Sequence, residues 1–92
     1  MTIRADILKE ADALIHGERM ENYGAPSVSF SRIAAGWSVI FGQTIEPHQV
    51  CLAMAWLKIA RLTQDATARD GAVDGAAYLA IAGELAASAA KS

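Results

Sequence analysis

Eight Lys and Arg against ten Asp and Glu give this 92-residue chain a net charge of −2 and a pI near 5.5. With no basic stripe to neutralise a row of phosphates, duplex nucleic acid is excluded as a partner. Apolar residues make up 53% of the sequence, more than one small core accommodates, since a domain of this size buries only about 60–65% of its unfolded surface. A membrane is not the sink. A spanning helix needs roughly 20 nearly uncharged residues, and the best stretch, 47–62, is shorter and carries Lys58 and Arg61. Charges at Arg4, Asp6, Lys9 and Glu10 argue against a secretory leader. The remaining sink is contact between copies of the chain, so a homo-oligomer is expected, in the cytoplasm. The lone Cys51, between Val50 and Leu52, reads as a small buried hydrophobe in a reducing compartment.

Thr2 can cap a first helix running to about His16, with Ile7, Ala11, Leu14 and Ile15 on one face and Gly17 ending it. A polar connection, residues 18–26, closes on Gly24 and Pro26. Ser27 is the expected cap of the second helix. There Phe30, Ile33, Ala34, Trp37, Ile40 and Phe41 recur at helical spacing and Gly42 closes the run. The third helix has the clearest start: Glu46 at the cap, Pro47 in the first turn, and Ile45 placed to staple onto Val50. From Val50 to Leu62 it is apolar on nearly every face, which marks a bundle centre or an interface. A short loop, 63–69, leads to a fourth helix from about Asp70 to Ala90, whose Gly75, Ala76, Ala80 and Gly83 allow close helix approach. No strand alternation, repeat or linker is visible. The expectation is one all-α domain over 1–92, a four-helix bundle-like fold.

Two cations interrupt the apolar third helix: Lys58 and Arg61, at i and i+3. Cations in an apolar setting require anions nearby, and Asp70 and Asp74 open the fourth helix at i and i+4. Two readings follow. One is an ion-pair network fixing helix register. The other is a polar pocket in which Lys58 and Arg61 take phosphate oxygens and Asp70 and Asp74 take a divalent metal or a hydroxyl. A second polar concentration spans His16 to Gly24. Tyr23 beside Gly24 can stack on a base with Arg19 assisting, or can simply fold onto the bundle. His16 and His48 form no metal pair, and no zinc spacing, nucleophile arrangement or glycine-rich phosphate loop occurs.

The ordered set His16-Gly17-x-Arg19-x-x-x-Tyr23-Gly24, Phe30-x-Arg32-Ile33-Ala34-x-x-Trp37, Lys58-Ile59-Ala60-Arg61 and Asp70-x-x-x-Asp74-x-x-x-Tyr78 resembles a family of small phage and prophage proteins of unknown function. Its order is also similar to the MazG-like nucleotide pyrophosphohydrolases. That resemblance implies an all-α oligomer holding a nucleotide between helices and subunits. In such a site Lys58 and Arg61 would hold phosphate, Tyr23 and Arg19, with His16 among the ligand contacts, would meet base or sugar, and Asp70 and Asp74 would orient the two cations or bind a metal, Mg²⁺ or none being the cofactor expectation. MazG-like enzymes hold Mg²⁺ with Glu-x-x-Glu on one helix and Glu-x-x-Asp on another. Here neither spacing occurs in the second, third or fourth helix. Glu18 and Glu21 give Glu-x-x-Glu in the connection instead, so metal would fall to them or to Asp70 and Asp74. The expectations are therefore a protein that binds a nucleotide without turnover, a Mg²⁺-dependent nucleoside triphosphate pyrophosphohydrolase, or a module whose charges only fix helix register.

Overall fold

The computed structural model describes residues 2–17 and 24–90, and among these there are four helices and no strand. The first, α1 (Ile3–His16), begins where Thr2 Oγ1 accepts the Ala5 N–H at 3.2 Å, which satisfies one of the unpaired donors of the first turn. The second, α2 (Pro26–Phe41), starts earlier than the sequence suggests. Ala25 is the cap, Pro26 opens the helix, and Ser27 lies inside it. Proline's fixed φ and missing N–H suit that first position, so the helix needs no side-chain cap there. The Ser27 carbonyl instead accepts the Ser31 hydroxyl at 2.5 Å.

Gly42 ends α2 in the left-handed region, φ 66° and ψ 28°, where a side chain is disfavoured. The turn is tied by Ser38, whose Oγ donates to the Ala34 carbonyl at 2.7 Å and accepts the Ile45 N–H at 2.8 Å. Then α3 (Pro47–Gln64) starts at the expected cap, Glu46, whose N–H donates to Gln49 Oε1 at 2.7 Å. A tight turn follows. Asp65 accepts the Thr67 N–H at 3.0 Å and the Thr67 hydroxyl at 2.7 Å, bonds that hold its carboxyl below the usual carboxylate range. The last helix, α4 (Arg69–Ala90), begins one residue before the expected start.

Helices α3 and α4 form the centre together, α3 packing on α2 and α4, and α4 on α3 and α1. Gly71, Val73, Gly75, Ala77 and Ala82 of α4 are all buried, because α3 packs along one side and α1 along another. Ala11 meets Val73 and Ala77 there, with Ile7, Leu14 and Ile15 packed around them. In α3 only Val50, Cys51 and Ala55 are buried. Helix α2 packs mainly on α3 and reaches α4 through Phe30 and Tyr78, whose rings meet edge to face with centroids 6.2 Å apart.

The main contacts therefore run α1 to α4, α4 to α3 and α3 to α2, a more open arrangement than a closed bundle. The radius of gyration is 14.0 Å, against about 12.3 Å for a compact chain of this length. The accessible surface is 6356 Å², against about 5,100 Å² for a compact monomer of 9.7 kDa. Much of the excess is apolar: Val39, Ile40 and Phe41 at the end of α2, and Leu52, Trp56 and Ile59 on α3, are exposed. No described helix is long and apolar enough to cross a membrane.

Candidate functional site

Of the four charged residues expected to converge, the structure brings together two. Lys58 Nζ lies 3.1 Å from Asp74 Oδ2, with the two side chains only 16% and 28% exposed. The lysine stem passes alongside the buried Gly75, where a methyl group would sit 3.7 Å from Lys58 Cβ, in ordinary contact. Arg61 and Asp70 are exposed and do not join this pair. Helix geometry gives the reason. Residues three apart are rotated by about 60° around the axis, and with Lys58 aimed at α4, that rotation carries Arg61 into solvent. The expected cluster of two cations and two carboxylates is thus one ion pair with an exposed cation and an exposed carboxylate nearby in sequence.

The start of α4 is held by a different pair, which sequence reading missed. Arg69 Nε donates to Glu10 Oε2 at 2.8 Å, and Arg69 Nη2 reaches the same oxygen. The carboxylate holds the Arg69 guanidinium above its ordinary value. This joins α4 to α1 across 59 residues of sequence, a distance over which local spacing carries no signal.

A cleft of about 180 Å³ opens where α1, α2 and α4 converge. Leu14 and Ile15 line it from α1, Phe30 and Ile33 from α2, and Tyr78 and Ile81 from α4. Aromatic rings on two walls make it suited to a flat, apolar ring. Tyr78 stands one helical turn from Asp74, so the cleft and the Lys58–Asp74 pair occupy neighbouring turns of α4. The sequence held half of this signal. Asp70, Asp74 and Tyr78 follow one another at i, i+4 and i+8 and so share a face, but the Phe30 wall needs the crossing of α2 over α4, which no spacing reveals.

His16 closes α1 with its Nδ1 3.0 Å from Asp12 Oδ1 and 3.2 Å from the Asp12 carbonyl oxygen. The ring is thereby engaged within its own helix, in solvent. Glu18, Arg19, Glu21 and Tyr23 lie outside the described residues. Gly24, on the far side of that segment, lines the cleft. Among the described residues, no three His, Cys, Asp or Glu side chains are grouped to hold a metal ion.

A family described as "Domain of unknown function (DUF6378)" matches residues 6–86. The chain is 42% identical over 72 residues to the "Gene 55 protein" of Mycobacterium phage D29, which covers 78% of this chain and 48% of that protein. It is 34% identical over 76 residues to the "Gene 55 protein" of Mycobacterium phage L5, covering 82% and 49%. The chain thus spans about half the length of these curated relatives. No solved structure matches it.

Proposed function

We propose that this chain, which belongs to the DUF6378 family, is a nucleotide-binding protein that works as an assembly of its own copies in the host cytoplasm. The base occupies the cleft lined by Phe30 and Tyr78, and the phosphate end reaches toward Lys58 and Arg61. Asp74 orients the Lys58 ammonium, and Tyr23 and Arg19 contribute from the segment joining α1 to α2. The nucleotide is sequestered rather than converted, because the chain departs from the paired acidic motifs that MazG-like enzymes use for Mg²⁺. Phosphoanhydride hydrolysis draws on metal ions that bridge the phosphates.

One observation supports this reading above the others. The mostly buried Lys58 ammonium is paired with Asp74, which stands one helical turn from Tyr78 in the lining of an aromatic cleft of about 180 Å³. A thermal-shift screen of mono-, di-, tri- and cyclic nucleotides, with and without Mg²⁺, tests it. A ligand present at 100 times its Kd adds about 2.7 kcal/mol of stability. A clear rise in Tm with at least one nucleotide is expected, and no rise with any of them removes the reading. Pyrophosphate release in the Mg²⁺ arm would shift the function from sequestration to hydrolysis.

The alternative of a purely structural pair draws on the same contact. Lys58 lies along Gly75 and ends on Asp74, an arrangement that also fixes the register of α3 on α4. A Lys58→Met variant separates the two readings, since a register clamp predicts altered stability with unchanged ligand response.

A further inference from the structure

None of the described residues that line the cleft between α1, α2 and α4 carries a charge. The walls are aliphatic and aromatic, and the polar side chains among them are two hydroxyls, those of Ser29 and Tyr78. Pro26, Ser29, Phe30 and Ile33 recur at i, i+3, i+4 and i+7, so Ser29 shares the face of α2 that borders the cleft. Other serines of α2 spend their hydroxyls on the backbone: Ser31 donates to the Ser27 carbonyl and Ser38 to the Ala34 carbonyl. Among the described residues, no hydrogen bond occupies the hydroxyl of Ser29 or of Tyr78.

Size narrows the occupant. A dry apolar cavity of about 150 Å³ accepts benzene. At about 180 Å³ the cleft has room for one six-membered ring with its exocyclic groups. A fused two-ring base has half as many ring atoms again, and on the same scale asks for about 225 Å³. Its second ring therefore stands outside the walls. The Phe30 and Tyr78 rings already meet edge to face, so a ligand ring lies against them and not between them. A hydroxyl both donates and accepts, which suits a neutral ring whose edge carries carbonyl and amino or imino groups. A charged ring would meet no countercharge on these walls.

We infer that the cleft takes a pyrimidine base in preference to a purine, with the Ser29 and Tyr78 hydroxyls as its polar contacts. The inference rests on the nucleotide reading proposed above and names the class of base. Isothermal titration of the chain with the 5′-mono- and triphosphates of uridine, cytidine, adenosine and guanosine tests it. At a given phosphate count these ligands differ in the base alone. Ser29→Ala and Tyr78→Phe variants are titrated alongside, each losing one oxygen and keeping its wall, with circular dichroism to report unchanged helicity.

The expected result is at least tenfold tighter binding of one pyrimidine nucleotide than of either purine with the same phosphates. Each variant should bind that pyrimidine about three- to tenfold more weakly, while its weaker purine binding changes less than twofold. Purine affinity equal to or above pyrimidine affinity overturns the base class and leaves nucleotide binding standing. Parent-like pyrimidine affinity in both variants, or an equal loss for all four bases, overturns the role of the hydroxyls. No binding of any of these nucleotides overturns the whole inference, and the thermal-shift screen then decides whether nucleotide binding falls with it.

Discussion

The Lys58 ammonium meets the Asp74 carboxylate at 3.1 Å across the contact between α3 and α4, at a height on α4 where Gly75 replaces any side chain. Removing the carboxylate leaves a mostly buried cation without its partner. Asp74→Ala should therefore cost about 1–3 kcal/mol. Lys58→Met keeps the packed stem and removes the charge, and should cost less. Urea denaturation of the two variants checks the order.

Two glycines on one stripe of α4 should answer differently to alanine. At Gly75 a methyl group finds ordinary contact, 3.7 Å from Lys58 Cβ, whereas at Gly71 it meets the Leu62 side chain at 3.2 and 3.3 Å. Alanine within a helix is favoured over glycine by about 1 kcal/mol. Gly75→Ala should collect most of that gain, and Gly71→Ala should fall short of it by on the order of 1 kcal/mol. Thermal melts of the two single variants give the comparison.

Gly42 carries the turn between α2 and α3 at φ 66°. Nothing crowds a side chain there, so the cost of Gly42→Ala is conformational alone, about 1 kcal/mol. For a domain of this size that lowers Tm by roughly 4–8 °C. Gly42→Asn should lose less, because asparagine tolerates the left-handed region.

Burial pushes the Cys51 thiol up from 9.0 to about 11. The folded chain therefore holds the neutral thiol in a range where the unfolded chain ionises. Its contribution to stability is complete below pH 9 and is lost as pH rises toward 11. In the folded protein at pH 8 the thiol should resist alkylation and react only on unfolding. Mass spectrometry after a timed maleimide pulse, with and without urea, reads this directly.

How far the sequence revealed these features depended on the range of the interaction. Helix caps are local, so Thr2, Glu46 and Gly42 were legible, and Ser27 misled only because Pro26 competed for the same start. The exposed apolar surplus was legible from composition. The apolar density of Val50–Leu62 marked α3 as central, but the equal place of α4 was not legible: glycine and alanine at its contacts let both α3 and α1 close on it. The Lys58–Asp74 pair was found because the turn between the helices is short. Arg61 and Asp70 were wrongly joined to it, since spacing fixes a face only to within tens of degrees. Glu10–Arg69 and the Phe30–Tyr78 wall depend on tertiary crossings and left no local trace.

The central claim is that a nucleotide sits in the Phe30–Tyr78 cleft with its phosphates toward Lys58. Isothermal titration of the nucleotide giving the largest Tm shift, into the parent chain and into Lys58→Met and Phe30→Ala variants of unchanged helicity, tests it most directly. The account predicts saturable binding to the parent and at least a tenfold loss of affinity in each variant. Parent-like affinity in both variants would contradict it.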